Sequence, residues 1–137
     1  MIRYILAFAL TVVALPARAI DIQEITSPGG IDAWLVQESS IPFVAIEIVF
    51  DGGATLDLPG KRGATNLMMA LLEEGSGDLD ARGFQEAREA LAATYGFDAY
   101  DDSVSISAVF LTENQDEAVA LLRSALIEPR FDDDAIE

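Results

Sequence analysis

Alternation of apolar and polar residues predicts strands in the first part of the chain. Residues 20–26 and 32–37 are two short segments of mixed polarity, and the intervening residues 27–30 contain Pro28 and two glycines, which favour a turn. We therefore expect the two segments to pair as a hairpin. Along residues 43–50 every second position is apolar and most of the others are too, which is typical of a strand in a sheet covered on at least one side.

Apolar spacing in residues 63–73 predicts the first helix. Its expected inward face consists of Leu67, Met68, Leu71 and Leu72. Residues 75–77 read Gly-Ser-Gly, and we expect them to end the helix, because glycine commonly occupies the position after a helix C-terminus.

The second half of the chain predicts two more helices and a hairpin. Asp80 is placed to cap a helix at residues 81–93, with Phe84, Ala87 and Leu91 along one side and Arg88 beside them. Residues 95–100 and 103–111 alternate as strands about an Asp-Asp turn. Residues 112–114 are expected to open a third helix, with Ala118, Leu121, Leu122 and Ala125 facing inward.

The end of the sequence predicts an unfinished element. Pro129 breaks the third helix, and Asp132 could cap a fourth, for which no room remains. We therefore expect residues 20–137 to be the N-terminal part of a longer, truncated domain. The order of elements predicts an α+β fold, with an antiparallel or mixed sheet and helices packed on one face.

Composition narrows the possible chemistry. The 137 residues contain 24 acidic and 8 basic side chains, a net charge of −16, and neither cysteine nor histidine. Disulfides, thiol catalysis, zinc–thiolate sites and Ser-His-Asp triads are therefore excluded for this chain. An acidic surface repels phosphate backbones, so we expect no nucleic-acid partner.

Residues 1–19 predict a cleavable signal peptide. Arg3 precedes an apolar run at residues 5–15, and the small residues Ala17 and Ala19 occupy the positions that a signal peptidase reads. The run is too short to cross a bilayer, which takes about 20 apolar residues. Export without disulfides indicates a periplasmic protein, while an uncut anchor or a buried N-terminal helix are the alternatives.

From residue 23 to residue 137 the chain resembles the insulinase/pitrilysin family of zinc peptidases. The resemblance rests on the order of strands and helices, on the Gly52-Gly53 pair before the first helix, and on the closing segment 129–137. In that family the first helix carries an H-x-x-E-H motif, whose two histidines bind one zinc and whose glutamate activates the zinc-bound water. A further glutamate ligand lies about 75 residues beyond the motif, outside this sequence.

The motif positions are degenerate. Alignment on residues 63–65 places Asn66 and Ala70 at the two histidines and Met69 at the glutamate. These side chains supply neither a base nor a good zinc ligand, so no catalytic, cofactor-binding or metal residue is assigned. The plain alternative is that the three residues are ordinary helix positions.

The resemblance implies a non-catalytic subunit. In many bacteria a competent family member is paired with a degenerate one, so the expected role is to bind and enclose unstructured peptides beside an active, zinc-containing partner in a heterodimer. Family substrates pair with an edge strand near the motif helix. That strand is not assigned here, and residues 43–50 are a candidate for a central one.

Two other functions remain open. The chain could be a scaffold or binding protein of the same fold with no role in proteolysis. It could also be an active metallopeptidase with carboxylate ligands, although these favour harder ions than zinc. The acidic run at residues 132–134 lacks the spacing of a calcium loop and is better explained as a helix start.

Overall fold

The computed structural model describes residues 20–136, so the predicted signal peptide lies outside the described residues. The described residues divide into two compact units, residues 20–40 and 41–136. In the first unit, β1 (Ile22–Thr26) and β2 (Asp32–Val36) form the predicted antiparallel hairpin. Its turn is closed by main-chain hydrogen bonds between Ser27 and Ile31 and between Ser27 and Gly30. Trp34 is 81% exposed on the sheet surface.

The second unit contains the remaining elements. In chain order they are β3 (Phe43–Asp51), α1 (Ala64–Leu71), β4 (Gly75–Ser76), β5 (Leu79–Asp80), α2 (Ala81–Ala90), β6 (Thr94–Ala99), β7 (Ser103–Leu111), α3 (Gln115–Ile127) and α4 (Asp133–Ile136). Short 3-10 turns at Ala54–Leu56 and Thr112–Asn114 precede α1 and α3. Among residues 20–136, no helix is long and apolar enough to cross a membrane.

The main sheet has three antiparallel strands in the order β3-β7-β6. β3 pairs with β7 along its whole length, from Phe43 opposite Leu111 to Asp51 opposite Ser103. The interpretation of residues 43–50 as a central strand is therefore wrong: in the described sheet β3 lies at an edge and β7 is central. In the β6–β7 hairpin, β6 pairs with one side of β7, and β3 pairs with the other side. The position of β3 in the sheet therefore depends on a long-range pairing, which the apolar pattern of residues 43–50 does not encode.

Helices cover one face of this sheet, which confirms the predicted α+β class. The core is built from one face of the strands and from inward residues of all three longer helices: Met69, Leu72, Phe84, Ala93, Tyr95, Ile106, Ala108, Phe110, Ala118, Leu121, Leu122 and Ala125. The opposite face carries polar residues toward one end, where the Ser105 hydroxyl donates to Glu47 Oε1 at 2.6 Å. At its other end Phe43 and Val109 are exposed.

The first helix differs from its prediction in length and in its buried face. It runs from Ala64 to Leu71, and Leu67 and Met68, expected inside, are 48% and 42% exposed, whereas Met69 is 2% exposed. Six consecutive residues from position 67 to 72 are apolar or small, so the sequence alone does not select one face of the helix. Packing against β6 selects the face that contains Met69 and Leu72.

The Gly-Ser-Gly segment at residues 75–77 is a hairpin and does not cap α1. The helix ends at Leu71, and β4 then pairs with β5 around a tight turn at Gly77, which has a φ of 54°. The positive φ of Gly75 and Gly77 explains why two glycines are needed here.

The later helices follow their predicted pattern more closely. Asp80 caps α2, since its Oδ1 accepts from the Gly83 amide at 2.7 Å. This helix stops at Ala90, three residues early, as Ala92 turns to a φ of 49°. All four predicted inward residues of α3 are buried.

A short fourth helix does form, contrary to the expectation that no room remains for it. α4 is a single turn over Asp133–Ile136, in which the Ala135 amide donates to the Asp132 carbonyl at 3.0 Å. The Asp132 carboxylate does not cap it, because it accepts from Arg130 Nε at 2.6 Å.

Candidate functional site

The loop between β3 and α1 is fixed by main-chain contacts with the β6–β7 turn. The Gly52 amide donates to the Asp102 carbonyl at 2.7 Å, and the Ala54 amide donates to the Tyr100 carbonyl at 2.8 Å. A side-chain carbon at Gly53 would overlap the Tyr100 carbonyl oxygen and lie 2.7 Å from the Ser103 amide nitrogen. Glycine is thus required where the two loops touch, and this contact sets the direction from which α1 starts.

Asp57 caps the N-terminus of α1 from outside the helix. Its Oδ2 accepts from the Gly63 amide at 2.7 Å, and its Oδ1 accepts from the Thr65 hydroxyl at 2.6 Å and the Thr65 amide at 3.1 Å. The hydrogen bond from the Thr65 side chain is the main cause that lowers the pKa of Asp57. The carboxylate satisfies amides that a helix start leaves free and suits the positive end of the helix dipole.

The three degenerate motif positions do not share one environment. Asn66 and Ala70, one helical turn apart, are both exposed on the surface of α1. Met69 lies in the hydrophobic core. The structure therefore brings the two histidine positions together at the surface and uses the glutamate position for packing.

Glu73, an acidic residue just after α1, forms an ion pair with α2. Glu73 Oε2 forms a 2.9 Å ion pair with Arg88 Nη1 of α2, whose Nη2 also donates to Gln85 at 2.8 Å. Within residues 20–136, no group of three or more histidine, cysteine, aspartate or glutamate side chains is arranged to hold a metal ion. Carboxylates around α1 thus act as a helix cap and an ion-pair partner.

The outer edge of β6 lies beside the motif helix. α1 packs against β6, and in the described sheet no strand pairs with the other side of β6. At the closing pair of the hairpin the Tyr100 amide donates to the Ser103 carbonyl at 2.9 Å. Hydrogen-bonded positions alternate in antiparallel pairs, so the backbone groups of Tyr95, Phe97 and Ala99 point away from β7. Tyr95 is buried, whereas Phe97 and Ala99 are partly exposed.

Sequence comparison assigns the family. The profile described as "Insulinase (Peptidase family M16)" matches residues 34–137, most of the chain. The chain belongs to this peptidase family. At the family's motif positions it carries Asn66, Met69 and Ala70 in place of the histidines and the glutamate.

One similar protein is named as a non-peptidase homolog. The chain is 32% identical over 97 residues to the "Non-peptidase homolog YmxG" of Helicobacter pylori (strain ATCC 700392 / 26695). The match covers 71% of this chain but only 22% of that relative, so the chain corresponds to less than a quarter of its length.

Solved structures share the fold. A crystal structure of a peptidase M16 inactive domain from Pseudomonas fluorescens aligns with a TM-score of 0.78 at 24% identity, covering 85% of this chain and 29% of that one. A crystal structure of a protease from Helicobacter pylori aligns with a TM-score of 0.70 at 14% identity, covering 85% and 28%. The family fold is thus common to structures described as inactive and as a protease.

Two features of the site were missed at the sequence level. The cap by Asp57 was missed because its carboxylate acts eight residues away from the Thr65 hydroxyl it binds, outside the usual capping spacing. A signal for it exists, since Asp57 is the last acidic residue before α1. The edge position of β6 carries no local signal, because it depends on which strands pair.

Proposed function

We propose that this chain is part of a non-catalytic subunit of an insulinase-family peptidase complex in the periplasm. In this role it binds extended peptides and helps to enclose them beside an active partner that carries the zinc. The observation that carries the proposal joins one helix and its neighbouring strand. The motif positions of α1 have lost their chemistry, and in the described sheet no strand pairs with the backbone edge of β6 beside it.

Loss of catalysis is supported by the side chains themselves. Asn66 and Ala70 provide no pair of imidazoles for zinc, and Met69 provides no base and is buried in the core. The similarity to a relative named as a non-peptidase homolog and to a domain described as inactive points the same way.

Peptide binding is supported by the geometry of β6. Amides and carbonyls at alternate positions of its free edge can form a ladder with an extended chain, which gives affinity without regard to peptide sequence. β6 is also held firmly, because its Tyr95 hydroxyl is bonded to helix α3. A rigid edge lowers the entropic cost of adding a strand.

The proposal is tested with the full-length exported protein and an active family member from the same cell. Each protein is purified, its zinc is measured, and cleavage of an unstructured peptide is followed for each one alone and for the mixture. Activity that rises only in the mixture, with zinc only in the partner, is the expected result. If the partner is fully active alone, the proposal fails and the scaffold function is favoured. If this protein alone cleaves the peptide in a zinc-dependent reaction, it is an enzyme.

The peptide edge is tested by removing one donor from it. Ala99→Pro deletes an amide that points away from β7, so pairing within the sheet should persist. Ala99→Ser is the matched control, because it changes the side chain and keeps the amide. We expect the proline variant to bind the peptide at least about fivefold more weakly, the value of one net hydrogen bond of about 1 kcal/mol. Equal binding by both variants would place the peptide elsewhere.

A further inference from the structure

A cleft on the helical side of the second unit is not used by the proposed function. It lies between the β4–β5 hairpin, α2 and α3, and its volume is about 510 Å³. That volume is within the range of about 300–1,000 Å³ typical of small-ligand sites.

The floor of the cleft contains an unsatisfied polar group. Ser76 lines the cleft, is 1% exposed, and its Oγ has no hydrogen-bond partner among the described residues. Main-chain groups next to it are occupied, since the Gly77 amide donates to the Glu128 carbonyl at 2.9 Å and the Arg130 amide donates to the Gly75 carbonyl at 3.2 Å. A buried hydroxyl without a partner is costly, so a ligand donor that reached Ser76 would relieve that cost.

Three carboxylates line the same cleft, and one of them, Asp78, lies close enough to Arg130 to attract its guanidinium. Asp78, Glu117 and Glu128 form no ion pair and no side-chain hydrogen bond in the part of the chain that the structure describes. The neighbouring cation is Arg130, and it is engaged by Asp132 at 2.6 Å and by the Gly77 carbonyl at 3.3 Å. The cleft therefore presents acceptors and negative charge, and no residue that lines it carries a cationic side chain.

Aliphatic side chains complete the wall. Leu79 and Leu121 line the cleft together with the acidic and hydroxyl groups. An apolar wall next to carboxylates fits an alkyl chain that ends in a cation, because the chain packs on the leucines while its head donates to the oxygens. A metal ion fits less well, since the acidic residues are not grouped to hold one.

We propose that this cleft binds an alkyl ammonium or guanidinium group, such as a lysine or arginine side chain of a polypeptide or a free polyamine. The Ser76 hydroxyl and the carboxylates of Asp78, Glu117 and Glu128 accept from the cationic head. The site goes beyond the proposed function and does not depend on it.

The test uses the full exported protein at about 0.15 M salt, which screens attraction to the overall negative charge. N-acetyl-arginine-methylamide is titrated by calorimetry, with N-acetyl-alanine-methylamide as the neutral control and agmatine as the free-amine probe. We expect the arginine probe to bind and the alanine probe not to bind. Tighter binding of the arginine amide than of agmatine supports a polypeptide as the source of the cation, and the reverse order supports a free amine.

Variants separate the site from general electrostatics. Glu117→Gln and Glu128→Gln each remove one carboxylate from an exposed position and should weaken the arginine probe about tenfold, as expected for a charge-assisted hydrogen bond. Ser76→Ala should also weaken the probe, without lowering the melting temperature of the free protein. Asp98→Asn, on the opposite face of the sheet, makes the same change in charge and should leave binding unaltered.

Two results would overturn the site. One is the absence of binding by either cationic probe. The other is an equal loss of affinity in the cleft variants and in Asp98→Asn, which would mean that the probes respond only to net charge. Because the side chains of Glu117 and Glu128 are exposed and form no ion pair or hydrogen bond among residues 20–136, their variants should remain folded and give a clear result in either direction.

Discussion

The Tyr95 hydroxyl donates a 2.7 Å hydrogen bond to the main-chain carbonyl of Ala118, inside the core. This bond joins β6, the free edge of the sheet, to the first turns of α3. The Phe84 ring of α2 lies next to the Tyr95 ring, with 6.3 Å between the ring centroids. One side chain therefore links the strand proposed to hold peptide to two helices on the covered face.

Tyr95→Phe removes this hydrogen bond and keeps the ring. We expect the free energy of unfolding to fall by about 1–2 kcal/mol, since a buried acceptor loses a partner. Urea unfolding of the full chain measures the change. Tyr100→Phe is the control, because Tyr100 is exposed and its change should be near zero. Equal stability of the Tyr95 variant and the parent would show that the bond contributes nothing to the fold.

The burial of Tyr95 makes stability depend on pH in the alkaline range. Burial raises the pKa of Tyr95 to about 12, whereas an unfolded tyrosine has a pKa of about 10. The stabilisation is fully present below pH 10 and is lost as the pH rises through 12, because the unfolded chain ionises first. The difference in unfolding free energy between the parent and Tyr95→Phe should therefore shrink between pH 9.5 and 11.5. A constant difference over that range would contradict the raised pKa.

Elements with a strong period could be predicted from the sequence. The alternation in residues 103–111 and the spacing of Ala118, Leu121, Leu122 and Ala125 gave β7 and the buried face of α3 correctly. In residues 103–107 serines separate the apolar residues, so only one face of β7 can be buried there. In α3 the residues 118–122 are all apolar, and the buried face follows from the helical spacing of the four residues. The cap at Asp80 was predictable for a similar reason, because the carboxylate acts within three residues.

The remaining features depend on tertiary contacts. The run from Leu67 to Leu72 is apolar all round, so only packing against β6 decides that Met69 is inside and Leu67 outside. The pairing of β3 with β7 determines which strands lie at the edges of the sheet. These two strands are more than 50 residues apart in the chain, and the hydrogen bond between Ser105 and Glu47 joins them. For the candidate site, the sequence identified the degenerate positions but not their different burial.

The burial of Met69 predicts that rebuilding the family motif fails at one position. Met69→Glu places a carboxylate in a core with no partner, and we expect it to lower the free energy of unfolding by at least about 3 kcal/mol. Met69→Leu is the matched control and should cost less than about 1.5 kcal/mol. Urea unfolding compares the two. A glutamate variant as stable as the leucine variant would mean that position 69 can turn to the surface.

The other two motif positions should accept histidine. Asn66→His and Ala70→His together change only exposed positions, so we expect stability to stay within about 0.5 kcal/mol of the parent. The two imidazoles would lie one turn apart and should bind zinc weakly, without peptide cleavage, because the general base is missing. Zinc titration and a peptide assay measure both properties. Cleavage by this double variant would show that another residue serves as the base.

The hydrogen bonds to the Asp57 carboxylate lead us to expect that the protein loses stability in acid. Hydrogen bonds from Thr65 hold its pKa below the ordinary value, so its contribution is present above about pH 4 and is lost as the pH falls through the lowered folded pKa. Asp57→Ala should lower the melting temperature at pH 7 and make it less sensitive to acid. Asp51→Ala, which changes another exposed aspartate before α1, is the control. Parallel melting curves against pH for all three proteins would contradict the cap.

Gly53 predicts the effect of a single added methyl group on the start of α1. In Gly53→Ala the new carbon would overlap the Tyr100 carbonyl oxygen and press on the Ser103 main chain, so the two loops must separate. We expect a loss of about 1–3 kcal/mol or more, as for other overpacked positions. Gly29→Ala is the control, because its nearest neighbour to the added carbon is Ser27 Oγ at 3.8 Å and no positive φ is required. If both variants unfold at the same urea concentration as the parent, the contact between the loops is not needed to place the helix.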